Sequence, residues 1–262
     1  MNSTEISENY YIPEKLLIPV RERSLARKRF PMIFHDRLAE TVLQKASADG
    51  GRISLLSACR TALIQELLAE SAKAYLQKYP NARAVRLGCG LDAMFPLVDN
   101  GRCRMINLDQ EEVIRIRERL IGDHVRESSS GADLMEGGWI EKIPEGPLCI
   151  LAGDAFLFCP GDRVKALIDR CARRFEGGVM ILVYQKRPLF QLVTEHNEDC
   201  WMVNTPETDL CGISSAISSA ARITHLPEFY ARYLPFPVRI ALERELALEQ
   251  TAMAVLSFGQ NS

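Results

Sequence analysis

The chain has 262 residues, 47% hydrophobic and 25% charged, so it can bury a core and is neither disordered, collagenous nor disulfide-dense. Its 32 Lys and Arg against 34 Asp and Glu leave a formal charge of −2, with no global basic field to hold nucleic acid. Met1 to Tyr10 is polar and acidic, and no run of about 18 uncharged apolar residues occurs, which argues against a signal peptide and a membrane span.

In chain order, Met1 to Phe30 carries a basic cluster of Arg21, Arg23, Arg27, Lys28 and Arg29, interrupted by Glu22. It reads as a solvated helix face or as a lid over an anionic ligand. From Ser54 to Tyr79, Leu56, Leu63, Ile64, Leu67, Leu68, Ala72, Tyr75 and Leu76 recur at three- and four-residue steps, which predicts a long amphipathic helix ended by Pro80. Ala84 to Leu87 is a short buried strand running into Gly88-Cys89-Gly90. A second strand, Arg104 to Leu108, ends at Asp109, and Gln110 to Ile121 is helical. A third strand is predicted near His124 to Glu127, before a Ser-Ser-Ser-Gly turn. Pro147 to Ala152 is a strand buried on both faces, Pro160-Gly161-Asp162 opens a helix, and Val179 to Tyr184 is another strand. After Pro188 the pattern weakens through the Ser/Ala-rich Gly212 to Ala221, with a last strand at Ala254 to Phe258.

Strands alternating with helices predict an α/β fold, doubly wound around a mostly parallel sheet with helices on both faces. Residues 1–53 read as an amino-terminal helical segment on the substrate side. Residues 54–262 read as the core, with a carboxyl-terminal insertion beside the substrate, the whole forming one domain. The eight cysteines form no Cys-x-x-Cys pair, which excludes zinc-ribbon, ferredoxin and thioredoxin chemistry and leaves no expected metal. Their apolar surroundings suit packing thiols of a reducing cytoplasmic compartment.

Leu87-Gly88-Cys89-Gly90-Leu91-Asp92-Ala93 is the most informative stretch. Glycines at a strand-to-helix turn let the backbone approach a ligand closely. Gly88, Gly90 and Ala93 satisfy the dinucleotide pattern, with Asp109 at the distance of a ribose-binding carboxylate. The same residues satisfy the loop that binds S-adenosylmethionine. Asp92 repels a pyrophosphate and suits a cationic sulfonium, and Pro96 delays the start of the helix whose amino terminus a pyrophosphate needs. Arg86, inside the buried strand, requires a carboxylate partner.

Several segments between Phe34 and Tyr184 together resemble the leucine carboxyl methyltransferase superfamily, which includes the tetracenomycin-type polyketide O-methyltransferases. Cys59-Arg60-Thr61 resembles the family's Arg-Thr pair, Leu87 to Asp92 its Leu-Gly-x-Gly-Leu-Asp, Asp109 to Val113 its Asp-Leu-Pro-Glu-Val without the proline, and Asp133-Leu134 before Trp139 its adenine-framing segment. The resemblance implies a seven-stranded Rossmann-like methyltransferase fold and an S-adenosylmethionine cofactor. It places Arg60 on the donor carboxylate, Gly88, Cys89, Gly90 and Asp92 in the loop, and Asp109 with Gln110 at the ribose. Asp133 and Leu134 fall at the adenine. Gly153-Asp154 stands where the family has Glu-Gly, so the acid is displaced by one position, which in regular strand reverses the side chain's facing.

The implied reaction is O-methylation of a carboxylate or hydroxyl of a small molecule. The competing readings are a nicotinamide-nucleotide oxidoreductase and a non-catalytic donor-binding relative. No catalytic residue is assigned. His35, His124, His196 and His225 are the histidines available as a base, with His35 beside Asp36 favoured.

Overall fold

The computed structural model describes residues 12–48, 51–157, 159–184, 210–223, 225–247 and 252–259. Helices α1 (Glu14–Arg29), α2 (Leu38–Lys45) and α3 (Leu55–Lys78) come first. They are followed by β1 (Arg83–Leu87), α4 (Met94–Val98), β2 (Arg104–Asp109), α5 (Glu111–Leu120), β3 (Glu127–Gly131) and α6 (Gly138–Lys142). β4 (Leu148–Gly153), α7 (Gly161–Arg174), β5 (Val179–Tyr184), β6 (Ile217–Ile223), α8 (Glu228–Tyr233), α9 (Phe236–Ala247) and β7 (Ala252–Phe258) complete the order. Local chemistry sets these boundaries. Ser54 caps α3 by accepting the Ser57 N–H at 3.0 Å, and Pro160 stands directly ahead of α7. α5 opens on Glu111 and Glu112 and closes on Arg117 and Arg119, matching the helix dipole at both ends.

The strands form one seven-stranded sheet in the order β3-β2-β1-β4-β5-β7-β6. Pairings from β3 to β5 are parallel, and β7 runs antiparallel to both β5 and β6. Strand order reverses between β1 and β4. In such sheets the crevice beyond the strands' carboxyl ends at the reversal is where ligands bind. β4 and β5 are buried along their whole length because helices cover both faces. On one face α3, α4 and α9 pack Leu68, Met94 and Leu242 against Cys149, Leu151 and Ile181. On the other, α6 and α7 pack Trp139, Leu167 and Ile168 against Val85, Ile150 and Leu182. Among the described residues no helix is long and apolar enough to cross a membrane.

Two expectations change. The third strand is Glu127–Gly131, so the three serines expected in a turn are strand residues, and Val125, which suggested a strand, is 85% exposed. The Ser/Ala-rich stretch contains β6. Both are the sheet's edges, where one side of the ladder faces solvent and apolar alternation is not required. The basic cluster also divides. Lys28 and Arg29 are exposed, as a solvated face requires, but Glu22 and Arg23 are buried. A third apolar cluster explains why: Leu17 and Val20 of α1 and Val42 and Leu43 of α2 meet Ile116 and Leu120 of α5 and Leu91 of the glycine turn. The amino-terminal helices thus rest on the loop itself.

Leu151, fully buried at the centre of β4, is expected to cost about 2–5 kcal/mol when truncated to alanine. Val125→Ala is expected to stay within about 0.5 kcal/mol of the parent. Urea denaturation of the two variants measures both, and equal costs would contradict this placement of the core.

Candidate functional site

Four strand ends converge on the site: Leu87 of β1 runs into Gly88, β2 ends at Asp109, β3 at Gly131 and β4 at Gly153. Gly88 and Gly90 have φ of +61° and +48°, the left-handed region in which a side chain is strained. A Cβ on Gly88 would lie 2.8 Å from that of Ala155, whereas one on Gly90 would meet nothing within 4 Å. Gly88 is therefore fixed by packing, and Gly90 borders open space.

Three buried arginines hold the turn's carbonyls. Arg86 of β1 donates to Leu87 O at 2.7 Å and to Leu151 O and Ala152 O of β4. Arg23 of α1 donates to Leu91 O at 3.1 Å, and Arg117 of α5 to Asp92 O at 2.5 Å. Each guanidinium has its own carboxylate: Asp92 for Arg86 and Asp36 for Arg23, both at 2.8 Å, and Glu127 for Arg117 at 3.1 Å. Burial opposes Arg86's charge, but Asp92 and Asp154 outweigh it and raise its pKa above the ordinary arginine value. The strand arginine thus has the partner its position demands. Asp36 also accepts the N–H groups of Leu38 and Ala39 at the start of α2, so it fastens Arg23 to a rigid element.

The turn borders a cleft of two lobes that meet at Gly88 and Asp109. The first, of about 240 Å³, is lined by Cys89, Gly90, Asp92 and Asp154 together with side chains of α1 and α3. The second, of about 570 Å³, is lined by Gln110, Asp133, Leu134 and Met135. Together they fall in the size range of small-molecule sites, roughly 300–1,000 Å³. Asp109 accepts the Gly90 N–H at 2.8 Å through one oxygen and the Gln110 N–H through the other. Asp133 is exposed and accepts from Met135 N and Glu136 N, an Asx turn, and Trp139 pins the carbonyl of Leu134 through its indole N–H at 3.2 Å.

Asp154 reaches the cleft despite its displacement because β4 carries an irregularity: Leu151 pairs with Ile181 but Gly153 with the very next residue, Leu182. One extra residue in β4 resets the facing that a shift would have reversed. Gly153 itself lies under the cleft, where a Cβ would press on Arg86 and Leu68 at 3.2 Å.

Two residues sit differently from the others. Arg60 lines neither lobe of the cleft in this structure. It faces Glu245 at 3.6 Å in a separate crevice with Leu63, Leu67 and Leu242. The reason is helical phase: Thr61, Gln65 and Leu68 of α3 line the cleft, Arg60 is turned about 100° from Thr61, and Ile64 stands between the two crevices. Asp92, expected to present a bare negative charge, is neutralised by Arg86, and its Oδ1 is buried without a hydrogen-bond partner among the described residues. The acidic character of the cleft rests instead on Asp109 and Asp154.

The amino-terminal helix enters the site. Leu16 and Pro19, not singled out from sequence, and Arg23 of the basic cluster face the cleft from α1 at spacings of three and four, and Lys15 stands at its rim. Among the described residues no histidine lines either lobe, and no group of three or more His, Cys, Asp or Glu could hold a metal. His35 binds Glu66 through Nδ1 at 3.0 Å, and His196 lies outside the described residues. Burial, helped by Asp92 and Asp109 against Arg117, lifts the Cys89 thiol from 9.0 to about 12, and burial lifts Cys59 to about 11.

Residues 16–145 match the family model of leucine carboxyl methyltransferase. The chain is 26% identical over 145 residues to the tetracenomycin polyketide synthesis O-methyltransferase TcmP of Streptomyces glaucescens, a match covering 54% of either protein, so it spans about half the length of that relative. Its fold is similar to the crystal structure of a candidate methyltransferase from Thermobifida fusca, with a TM-score of 0.57 and 11% identity over 97% of both chains. It is also similar to the CurJ carbon methyltransferase, with a TM-score of 0.54 and 10% identity over 95% of this chain and 72% of that one.

Arg117→Met removes the positive partner of a carboxylate that is itself buried, and is expected to cost about 3–5 kcal/mol in urea denaturation. Adding Glu127→Gln should recover part of that loss, whereas an unchanged double variant would mean that the pair is not coupled. With a pKa near 12, about one Cys89 thiol in 10⁴ is ionised at pH 8. Iodoacetamide followed by peptide mass spectrometry should therefore label the half-buried Cys159 and Cys211 well before Cys89.

Proposed function

Because residues 16–145 match the family model of leucine carboxyl methyltransferase, we propose that this protein transfers a methyl group from S-adenosylmethionine to an oxygen atom of a small molecule. The observation that carries the reading is how the glycine turn spends its amides. The N–H groups of Gly88 and Cys89 go to Leu108 O, that of Asp92 to Cys89 O and that of Gly90 to Asp109. A pyrophosphate depends on a row of free N–H donors, so this turn is poorly suited to a dinucleotide. A sulfonium cofactor needs no such row, and the residues present fit it: carboxylates at Asp109 and Asp154 for a cation, and open space beside Gly90 for close approach.

When bound, the cofactor supplies a methyl group on a sulfonium, electrophilic without acid assistance. The chain's own contribution is to bind, orient and exclude water. In this reading Asp109 with Gln110 receives the ribose, and Asp133 and Leu134 border the adenine. Gly88, Cys89, Gly90 and Asp92 form the floor, and Gly153 and Asp154 line the reacting end. Arg60, which faces Glu245, is assigned no cofactor contact. The helix α1 covers the cleft through Leu16, Pro19 and Arg23. Positioning of this kind supplies up to about 7–11 kcal/mol of a barrier. An acceptor oxygen that is already anionic, a carboxylate, needs no base, which agrees with lobes free of histidine among the described residues. The name of the Streptomyces relative, an O-methyltransferase, supports oxygen as the acceptor atom.

Thermal unfolding tests the reading. S-adenosylhomocysteine at about 100 times its Kd should add roughly 2.7 kcal/mol and raise the midpoint by several degrees, and Asp109→Ala should shrink that rise. A rise with NAD or NADH and none with S-adenosylhomocysteine would replace this reading with that of an oxidoreductase.

A further inference from the structure

Resting on that reading, we propose that Arg170 of α7, which lines neither lobe, is a positioning residue for the cofactor's base: its guanidinium clamps the loop after β3 and so sets how well the second lobe distinguishes adenine. The loop runs from Ala132 to Gly137 and presents Asp133, Leu134 and Met135 to that lobe. It leaves β3 at the sheet's edge, where among the described residues a strand stands on one side only. Its shape is therefore imposed from behind. The Asp133 carboxylate turns the chain by accepting Met135 N and Glu136 N, and the Trp139 indole holds Leu134 O. The last two carbonyls belong to Arg170: Nη1 donates to Glu136 O at 2.9 Å and Nη2 to Gly137 O at 3.2 Å. A planar fork on two successive carbonyls fixes direction as well as distance.

Gly137 is built around that contact. Its φ of +67° is left-handed, and a Cβ there would stand 2.6 Å from Arg170 Nη1 and 3.0 Å from Leu167 Cδ1, so the guanidinium occupies the space that the missing side chain leaves. Arg170 and Gly137 are two halves of one latch. The latch itself adds little to the fold, because the arginine side chain is 44% exposed and Glu141, its carboxylate partner at 3.8 Å, is 63% exposed. Arg174, one turn on, holds Ile140 O of α6 and Ile143 O at its end, so α6 keeps its seat without Arg170. What depends on Arg170 is the direction of the loop backbone, and with it the placement of Asp133 and Leu134 against the base. An ionised carboxylate only accepts hydrogen bonds, so Asp133 favours the 6-amino group of adenine over the 6-oxygen of hypoxanthine.

Isothermal titration with S-adenosylhomocysteine and with S-inosylhomocysteine, which carries hypoxanthine in place of adenine, reads that placement. The wild-type chain should prefer the first. Arg170→Met removes the donors and Gly137→Ala displaces the guanidinium from the other side; each, checked for folding by circular dichroism, should lose about tenfold for S-adenosylhomocysteine and less than about twofold for S-inosylhomocysteine. Arg170→Lys, whose ammonium can meet one carbonyl, should recover part of the preference. Arg173→Met, which removes a neighbouring positive charge paired with Asp169, should bind both ligands as the wild type does. An unchanged preference in Arg170→Met and Gly137→Ala, an equal loss for both ligands, the same narrowing in Arg173→Met, or a wild-type chain without preference would each overturn the proposal. A wild-type chain that binds neither ligand would instead overturn the cofactor reading beneath it.

Discussion

Everything at the cleft depends on keeping a glycine turn in one shape, and the protein does this by tying its carbonyls to buried arginines. A left-handed turn has little side-chain packing of its own, so its geometry must be imposed from outside. Arg86, Arg117 and Arg23 come from a strand and from helices on either side, so the turn is held from three directions. Each brings a carboxylate with it, since a buried guanidinium without one is costly. Pairs of this kind add little to stability compared with apolar packing, and their effect here is to select one conformation. Arg117 illustrates the coupling: Glu127, which neutralises it, begins β3 and also accepts from Asn107 of β2, so the outer strands and the turn are joined through one carboxylate.

The sheet sets the direction in which the turn faces. Because strand order reverses between β1 and β4, the helices after these two strands leave to opposite faces and a crevice opens between them. The ends of β2 and β3 extend it into the second lobe, and the irregularity in β4 brings Asp154 back to it. The amino-terminal helices then close the first lobe from above, their apolar side resting on Leu91 and α5. The shape of the cleft and the docking of α1 are thus linked through the same few residues.

Much of the site was legible from sequence because its chemistry is local. The glycines, the acid at the end of β2 and the strand arginine requiring a partner all follow from short-range patterns. So do the long helix from Ser54 and the buried strands at 148–153 and 179–184, where continuous apolar runs admit few alternatives. The edge strand β3 was placed a few residues early and β6 was not assigned, because a strand that faces solvent carries little hydrophobic signal. That Arg60 faces Glu245 is a matter of helical phase, which composition and motif cannot show.

The sequence by itself determined the doubly wound α/β class, the glycine turn with a carboxylate about 20 residues on, and a near-neutral net charge, since each rests on residue type and spacing. Only the tertiary structure decided which arginines line the cleft, that Asp92 is paired with Arg86, and that Asp154 lines the cleft. Those are properties of side chains meeting from elements far apart in the chain: Arg23 and Leu91 are 68 residues apart and Arg86 and Leu151 are 65 apart. Such contacts are set by how helices and strands pack, and local periodicity carries no record of them.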